Sequence, residues 1–142
     1  LLIDIDHFKR VNDAHGRLAG DEALKMIAHV MEGALRKEDV LARYGGEEFV
    51  VLARETPLPG GKALGERIRK AVERSRLDWQ GHDLSLTVSI GVTVSVGVTR
   101  FEPGLTDRQV IEAADRALYR AKQAGRNCVV AEGETPSPEP AG

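Results

Sequence analysis

The chain has 142 residues, 42% hydrophobic and 30% charged, a composition that fits one soluble domain able to bury a core. Its 20 basic and 22 acidic residues leave a net charge of -2, which supplies no global positive field for wrapping nucleic acid or adhering to a membrane surface. One cysteine, Cys128, excludes an internal disulfide framework and a cysteine-built zinc cluster and suits a reducing cytosol, and no apolar run approaches the roughly 20 residues of a membrane helix.

Residue 1 already lies inside an apolar strand, Leu1-Leu2-Ile3-Asp4-Ile5-Asp6, so the expectation is a chain that has lost its natural N-terminus. Residues 7–15 read as a short helix with Asp6 as N-cap, Phe8 and Val11 on one face, and Gly16 as terminator. Gly20-Asp21 opens a longer helix whose Leu24, Ile27, Ala28, Met31, Ala34 and Leu35 follow the three-four spacing of a buried stripe.

Apolar runs 40–44 and 49–53 flank Gly45-Gly46, which predicts a tight hairpin whose turn tolerates positive φ at both glycines. Glu47 and Glu48 follow at once. Like charges about 4 Å apart cost roughly 4 kcal/mol at an effective dielectric near 20, so a third acid nearby calls for a cation. Asp4, at the end of the first strand, is such an acid; read alone, though, Gly-Gly is an ordinary turn and Glu-Glu a solvated strand edge.

Pro57, Pro59, Gly60 and Gly61 form a loop before a third helix marked by Leu64, Ile68, Ala71 and Val72 and reaching about Arg76. A second hairpin turns at 80–83 and returns through one β-branched strand, 84–92. Residues 93–98 nearly copy 87–92, which leaves a longer strand, a bulge or a loop open. Thr106-Asp107-Arg108-Gln109 is a capping box opening a last helix, with Val110, Ala114, Ala117, Leu118 and Ala121 inward and Gly125 as stop. Residues 127–131 close the fold as a strand, and 132–142, rich in Pro and Glu, are expected to be a disordered tail. The order β-α-α-β-β-α-β-β-α-β predicts an α+β fold with helices flanking a mostly antiparallel central sheet.

Several ordered motifs carry a resemblance: Leu2-Ile3-Asp4-Ile5-Asp6-His7-Phe8-Lys9, Asn12-Asp13, Gly20-Asp21, Gly45-Gly46-Glu47-Glu48-Phe49, Ser89-Ile90-Gly91, and the run 114–127. Over residues 1–131 the chain resembles a GGDEF domain, the diguanylate cyclases that condense two GTP into cyclic di-GMP and pyrophosphate. The resemblance implies a sandwich similar to nucleotidyl cyclases and polymerase palms, of the ferredoxin-like kind.

It also implies roles. Asp4 and Glu47, with the Ile5 carbonyl, would hold Mg²⁺ or Mn²⁺, with Glu48 a further catalytic carboxylate; Asp6 is read as structural, the cap already described. The backbone around Phe8 and Lys9, the side-chain-free Gly45-Gly46, and Lys122 and Arg126 would hold the GTP phosphates, while Asn12 and Asp21 would read guanine. Arg36, Asp39 and Arg67 match the family's inhibitory site for its product. Partners implied are GTP, cyclic di-GMP and a second protomer, with no nucleic acid, in the cytoplasm, and membrane contact only through upstream segments. Read singly, Asp21 is a helix N-cap, Asn12 a solvated helix residue, and Lys122 and Arg126 complements to a helix dipole. A silent receptor binding cyclic di-GMP through Arg36, Asp39 and Arg67 is the alternative of a different class. Three departures stand out: Gly16-Arg17 replaces the family's usual Gly-His, the family's N-terminal portion is absent, and the Thr-Val-Ser segment is doubled.

Overall fold

The computed structural model describes residues 1–92 and 107–134. Its elements are β1 (Leu2–Ile5), α1 (Phe8–His15), α2 (Arg17–Ala34), β2 (Val40–Arg43), β3 (Glu48–Leu52), α3 (Leu58–Arg74), β4 (Leu77–Trp79), β5 (His82–Leu84), β6 (Val88–Val92), α4 (Asp107–Gln123) and β7 (Val129–Ala131). One sheet has the order β2-β3-β1-β6-β7, antiparallel except for the β6–β7 pair, and β4 with β5 forms a separate hairpin. The α+β class and the mostly antiparallel sheet are as the sequence predicts.

The central strand β1 is buried along its whole length because both faces of the sheet are covered. Alternate residues point to opposite sides. Ile3 and Ile5 join the larger core, with Phe8 and Val11 of α1, Ile27 and Met31 of α2, and Leu64, Ile68 and Val72 of α3. Leu2 faces the other way and packs with Ala114 and Leu118 of α4, while Ala117 and Ala121 meet Val130 of β7. The small residues on α4 let its backbone approach closely, and Gly91 of β6 completes the fit. A Cβ at Gly91 would run into the Ala114 carbonyl and the Leu118 amide.

Several expectations are corrected. Asp6 does not cap α1: its carboxylate accepts from Thr87 Oγ1 at 2.7 Å, Ser89 Oγ at 2.6 Å and the Asn127 N–H at 3.0 Å. His7 is the N-cap instead, left-handed at φ 54°, and no side chain caps the first turn. Asp21 is not a cap either, since α2 begins at Arg17, just after Gly16, whose φ of 91° turns the chain from one helix into the next. Gly45 and Gly46 take no positive φ, because the connection between the Arg43–Phe49 pair is wider than the two-residue turn that demands it.

The strand expected over 84–92 is two: β5 pairs only with β4, whereas β6 pairs with β1. Between them the chain changes sheets, and Leu86 is buried in the core on the way. The closing strand begins at Val129, later than expected. The doubled segment 93–98 and Thr106 of the capping box lie outside the described residues, as does the tail beyond 134. Glu134 itself is anchored, accepting from Lys62 Nζ at 2.7 Å.

Candidate active site

Asp4 lies opposite Glu48 in the β1–β3 register, and the Ile5 N–H donates to the Glu47 carbonyl at 3.1 Å just beyond it. Sheet alternation places Asp4 and Glu48 on the face that α4 covers. From α4, Lys122 Nζ donates to Asp4 Oδ2 at 2.6 Å. Asp4 is 4% exposed, so this pair is shielded from solvent on its acidic side.

Glu47 and Glu48 join the same charge cluster. Burial pushes the Glu47 carboxyl above the usual carboxylate range and the Asp4 charge pushes it further, with Lys122 opposing and Glu48 adding. Glu48 is raised by burial first and by Asp4 second, against Lys122, with Asp115 of α4 adding. Of the three carboxylates, Asp4 pairs directly with the Lys122 ammonium, and Glu47 and Glu48 feel its charge. The arrangement carries excess negative charge in a partly desolvated place, a setting that favours a cation.

The loop between β2 and β3 is held from below by Arg43, a residue to which sequence reasoning assigned no role. Its Nε donates to the Gly45 carbonyl at 3.0 Å and its Nη2 to the Gly46 carbonyl at 2.8 Å. The N–H groups of Tyr44 and Gly45 both donate to the Glu48 carbonyl, at 2.8 and 3.2 Å. The signal was available in the arginine two residues before Gly-Gly: backbone carbonyls of a loop without side chains need donors from somewhere.

The other sequence-predicted residues lie on α1, on α2 and just after α4. With no side-chain cap on α1, the backbone N–H groups at Phe8 and Lys9 stand at a helix N-terminus, where the macrodipole favours anions. Phe8 is anchored in the core and Lys9 is exposed. Helices α1 and α2 cross so closely that a Cβ at Gly20 would collide with the Asn12 amide, and Asp21, the next residue, is exposed in the second turn of α2. Arg126 follows α4, left-handed at φ 65°, with its N–H donating to the Ala121 carbonyl at 3.1 Å.

Arg36 and Asp39 form a second centre. The Arg36 Nη2 donates to Asp39 Oδ1 at 3.0 Å and to Thr56 Oγ1 at 2.7 Å, and its Nε and backbone N–H reach Asp39 Oδ2 at 3.2 and 2.8 Å. Burial alone would raise the Asp39 carboxyl, but the Arg36 hydrogen bonds and charge, with Arg67 adding, hold it below the usual range. A hollow of about 440 Å³ opens here, lined by Glu32, Leu35, Arg36, Lys37, Asp39 and Leu41. Thr56 was not anticipated from the sequence.

Among the described residues, no helix is long and apolar enough to cross a membrane. The model of the family described as diguanylate cyclase, GGDEF domain, matches residues 1–128. The chain is 48% identical over 126 residues to diguanylate cyclase DgcP of Pseudomonas aeruginosa, covering 89% of this chain and 18% of that protein. It is 42% identical over 130 residues to diguanylate cyclase A of Treponema denticola, covering 91% and 33%. The chain therefore spans a third or less of these relatives' lengths. Among solved structures, the GGDEF domain of DgcB from Caulobacter crescentus, in complex with c-di-GMP, superimposes with a TM-score of 0.82 at 34% identity, covering 94% of this chain and 76% of that one. Diguanylate cyclase SiaD of Pseudomonas aeruginosa, crystallised with its activator SiaC, gives a TM-score of 0.83 at 38% identity, covering 92% and 48%. With its acids, glycine loop and terminal helix arranged in this way, and with the family model matched along nearly its whole length, the chain belongs to the GGDEF domain family.

Proposed function

We propose that residues 1–131 form the catalytic domain of a diguanylate cyclase, joining two GTP into cyclic di-GMP with release of two pyrophosphates. The observation that carries the reading is Asp4, paired with the Lys122 ammonium at 2.6 Å and opposite Glu48 in the β1–β3 register, next to Glu47 and the loop with no side chains at Gly45 and Gly46. The names of the relatives point the same way.

Asp4 and Glu47, with the Ile5 carbonyl, would hold Mg²⁺ or Mn²⁺. Among the described residues no three His, Cys, Asp or Glu side chains make a ready-built metal cage. The donors named are all oxygens, which suits Mg²⁺, commonly held by one or two carboxylates and completed by substrate phosphates and water. When bound, such an ion makes the 3′-hydroxyl more acidic and neutralises charge on the departing pyrophosphate.

The chain's own groups do the rest. The α1 N-terminus at Phe8 and Lys9, the Gly45-Gly46 loop, Lys122 and Arg126 seat the phosphates. Asn12 and Asp21 read guanine: a carboxylate accepts from the N1–H and the exocyclic amine, whereas adenine presents an acceptor at N1. Glu48, held above the ordinary carboxylate range, takes the 3′-hydroxyl proton as that oxygen bonds to the α-phosphorus of the GTP on the facing protomer. The bridging oxygen leaves with pyrophosphate, and the reciprocal step closes the ring. Catalysis therefore needs two protomers related by a two-fold axis.

Arg36, Asp39 and Arg67 form a product-inhibition site, supported by the hollow beside Arg36. The domain works in the cytoplasm, where its substrate is held. Incubation with GTP and Mg²⁺ followed by nucleotide separation tests the whole reading. A cyclic dinucleotide product, formed at a rate rising faster than linearly with protein concentration, is expected. Intact GTP together with tight cyclic di-GMP binding would instead identify a receptor.

A further inference from the structure

Between α4 and β7 the chain makes an uncommon turn. Gly125, Arg126 and Asn127 have φ of 110°, 65° and 45°, three left-handed residues in succession, of which Arg126 carries a side chain that disfavours it and Asn127 one that tolerates it. Such a conformation persists only where its surroundings over-determine it.

Two anchors do so here. The Asn127 N–H donates to Asp6 Oδ2 at 3.0 Å, and Asp6 is itself fixed by Thr87 and Ser89. The Asn127 side chain is clasped from α3: its Oδ1 accepts from Arg69 Nη1 at 3.1 Å, and its Nδ2 donates to Glu73 Oε2 at 2.5 Å. Arg69 is in turn held by Glu66 at 3.1 Å and Glu73 at 3.0 Å, and its side chain is only 14% exposed. The Asn127 hydrogen bond is the leading reason that the Glu73 carboxyl lies below its usual range, ahead of the Arg69 charge. A tight helix exit needs none of this apparatus. What the turn carries is Arg126.

We propose that Asn127, clasped by Arg69 and Glu73, is a positioning residue that fixes the left-handed turn and so places Arg126 on the terminal phosphates of bound nucleotide. The inference rests on the reading of Arg126 as a phosphate contact and extends it to α3, which no site residue of the active centre occupies. Glycine at position 127 accepts the same φ and keeps the N–H to Asp6, so Asn127→Gly removes only the clasp.

The test measures, by calorimetry with Mg²⁺, the affinity of the chain for 3′-deoxy-GTP, which cannot react, and for GMP, which lacks the terminal phosphates. Asn127→Gly is expected to weaken 3′-deoxy-GTP about tenfold and to leave GMP unchanged, Arg126→Ala to do the same, and the double variant to lose no more than either. Glu73→Ala, at a half-exposed position, should shift 3′-deoxy-GTP in the same direction and preserve GMP, which keeps the test decisive if Asn127→Gly folds poorly. An unchanged triphosphate affinity, an equal loss for both ligands, or fully additive losses in the double variant would overturn the proposal. Loss of all preference for triphosphate over GMP in the unaltered protein would instead overturn the phosphate site itself.

Discussion

Lys122 and Asp4 stand 118 positions apart in the chain and 2.6 Å apart in space, the ammonium of α4 resting on the carboxylate of β1. Their contact ties the last helix to the central strand and neutralises one acid of a cluster that holds three. The side chain proposed to hold phosphate is thus the one that meets the buried Asp4 carboxylate.

Replacing Lys122 with Met keeps the stem and deletes the charge. The variant should lose about 1–3 kcal/mol of stability in urea unfolding, because Asp4 remains buried without its partner. Cyclic di-GMP formation should fall at the same time, with a raised GTP requirement. Unchanged stability would show that the pair contributes nothing to the fold.

Glu48→Gln separates the fold from the chemistry through pH. In the folded protein the Glu48 carboxyl lies above its ordinary 4.5, so the native state binds more protons than the unfolded chain between the two values. The favourable contribution of the protonated group is fully present below 4.5 and is lost as pH rises through the raised folded value. At neutral pH the ionised group therefore destabilises the fold, and Glu48→Gln should melt higher than the unaltered protein at pH 7, with the difference vanishing toward pH 4. Turnover should nonetheless drop by about 10²-fold or more if Glu48 accepts the 3′-hydroxyl proton. Thermal melts across pH, paired with product formation, give both readings.

Gly91→Ala tests the seating of α4. Its new methyl would meet the Ala114 carbonyl and the Leu118 amide, backbone atoms that cannot swing aside as a side chain could. Overpacking of this kind costs about 1–3 kcal/mol, and displacement of α4 would move Lys122 off Asp4. Loss of activity exceeding the loss of folded protein, measured on the same samples by circular dichroism, is the expected pattern.

Asp21→Ala distinguishes base recognition from helix structure. Because α2 starts at Arg17, Asp21 is an exposed position inside the helix, where alanine is the better helix former. Stability should stay within about 0.5 kcal/mol or rise. The GTP requirement should increase more than tenfold and discrimination against ATP should fall, as substrate competition assays would record.

Arg36→Ala removes the donors to Asp39, which lines the hollow, and to Thr56. The concentration of cyclic di-GMP needed to inhibit synthesis should rise more than tenfold. Retained inhibition at the original concentration would exclude this surface as the product site.

How much of this was legible beforehand follows the range of the forces involved. Periodicity located the four helices of the described residues and the hairpin of β2 and β3, because helix faces and strand alternation are local patterns set by where each side chain can reach core, but α3 opens at Leu58, so that Pro59, Gly60 and Gly61, read as loop, form its first turn. The motif Gly45-Gly46-Glu47-Glu48 with Asp4 marked the acids that the pairing of β1 with β3 brings together, since a strand end and the turn after it are local features of the residue order. Tertiary structure decided the rest. It took Asp6 from the cap that its position suggested and gave it to Thr87, Ser89 and Asn127, three donors more than 80 residues away. It split the strand after Leu84, because pairing partners, not propensity, choose which sheet a β-branched run joins. It also set Lys122 on Asp4 and Arg69 on Asn127, contacts between side chains whose meeting depends on how helices lie across a sheet, a geometry that no local stretch of residues encodes by itself.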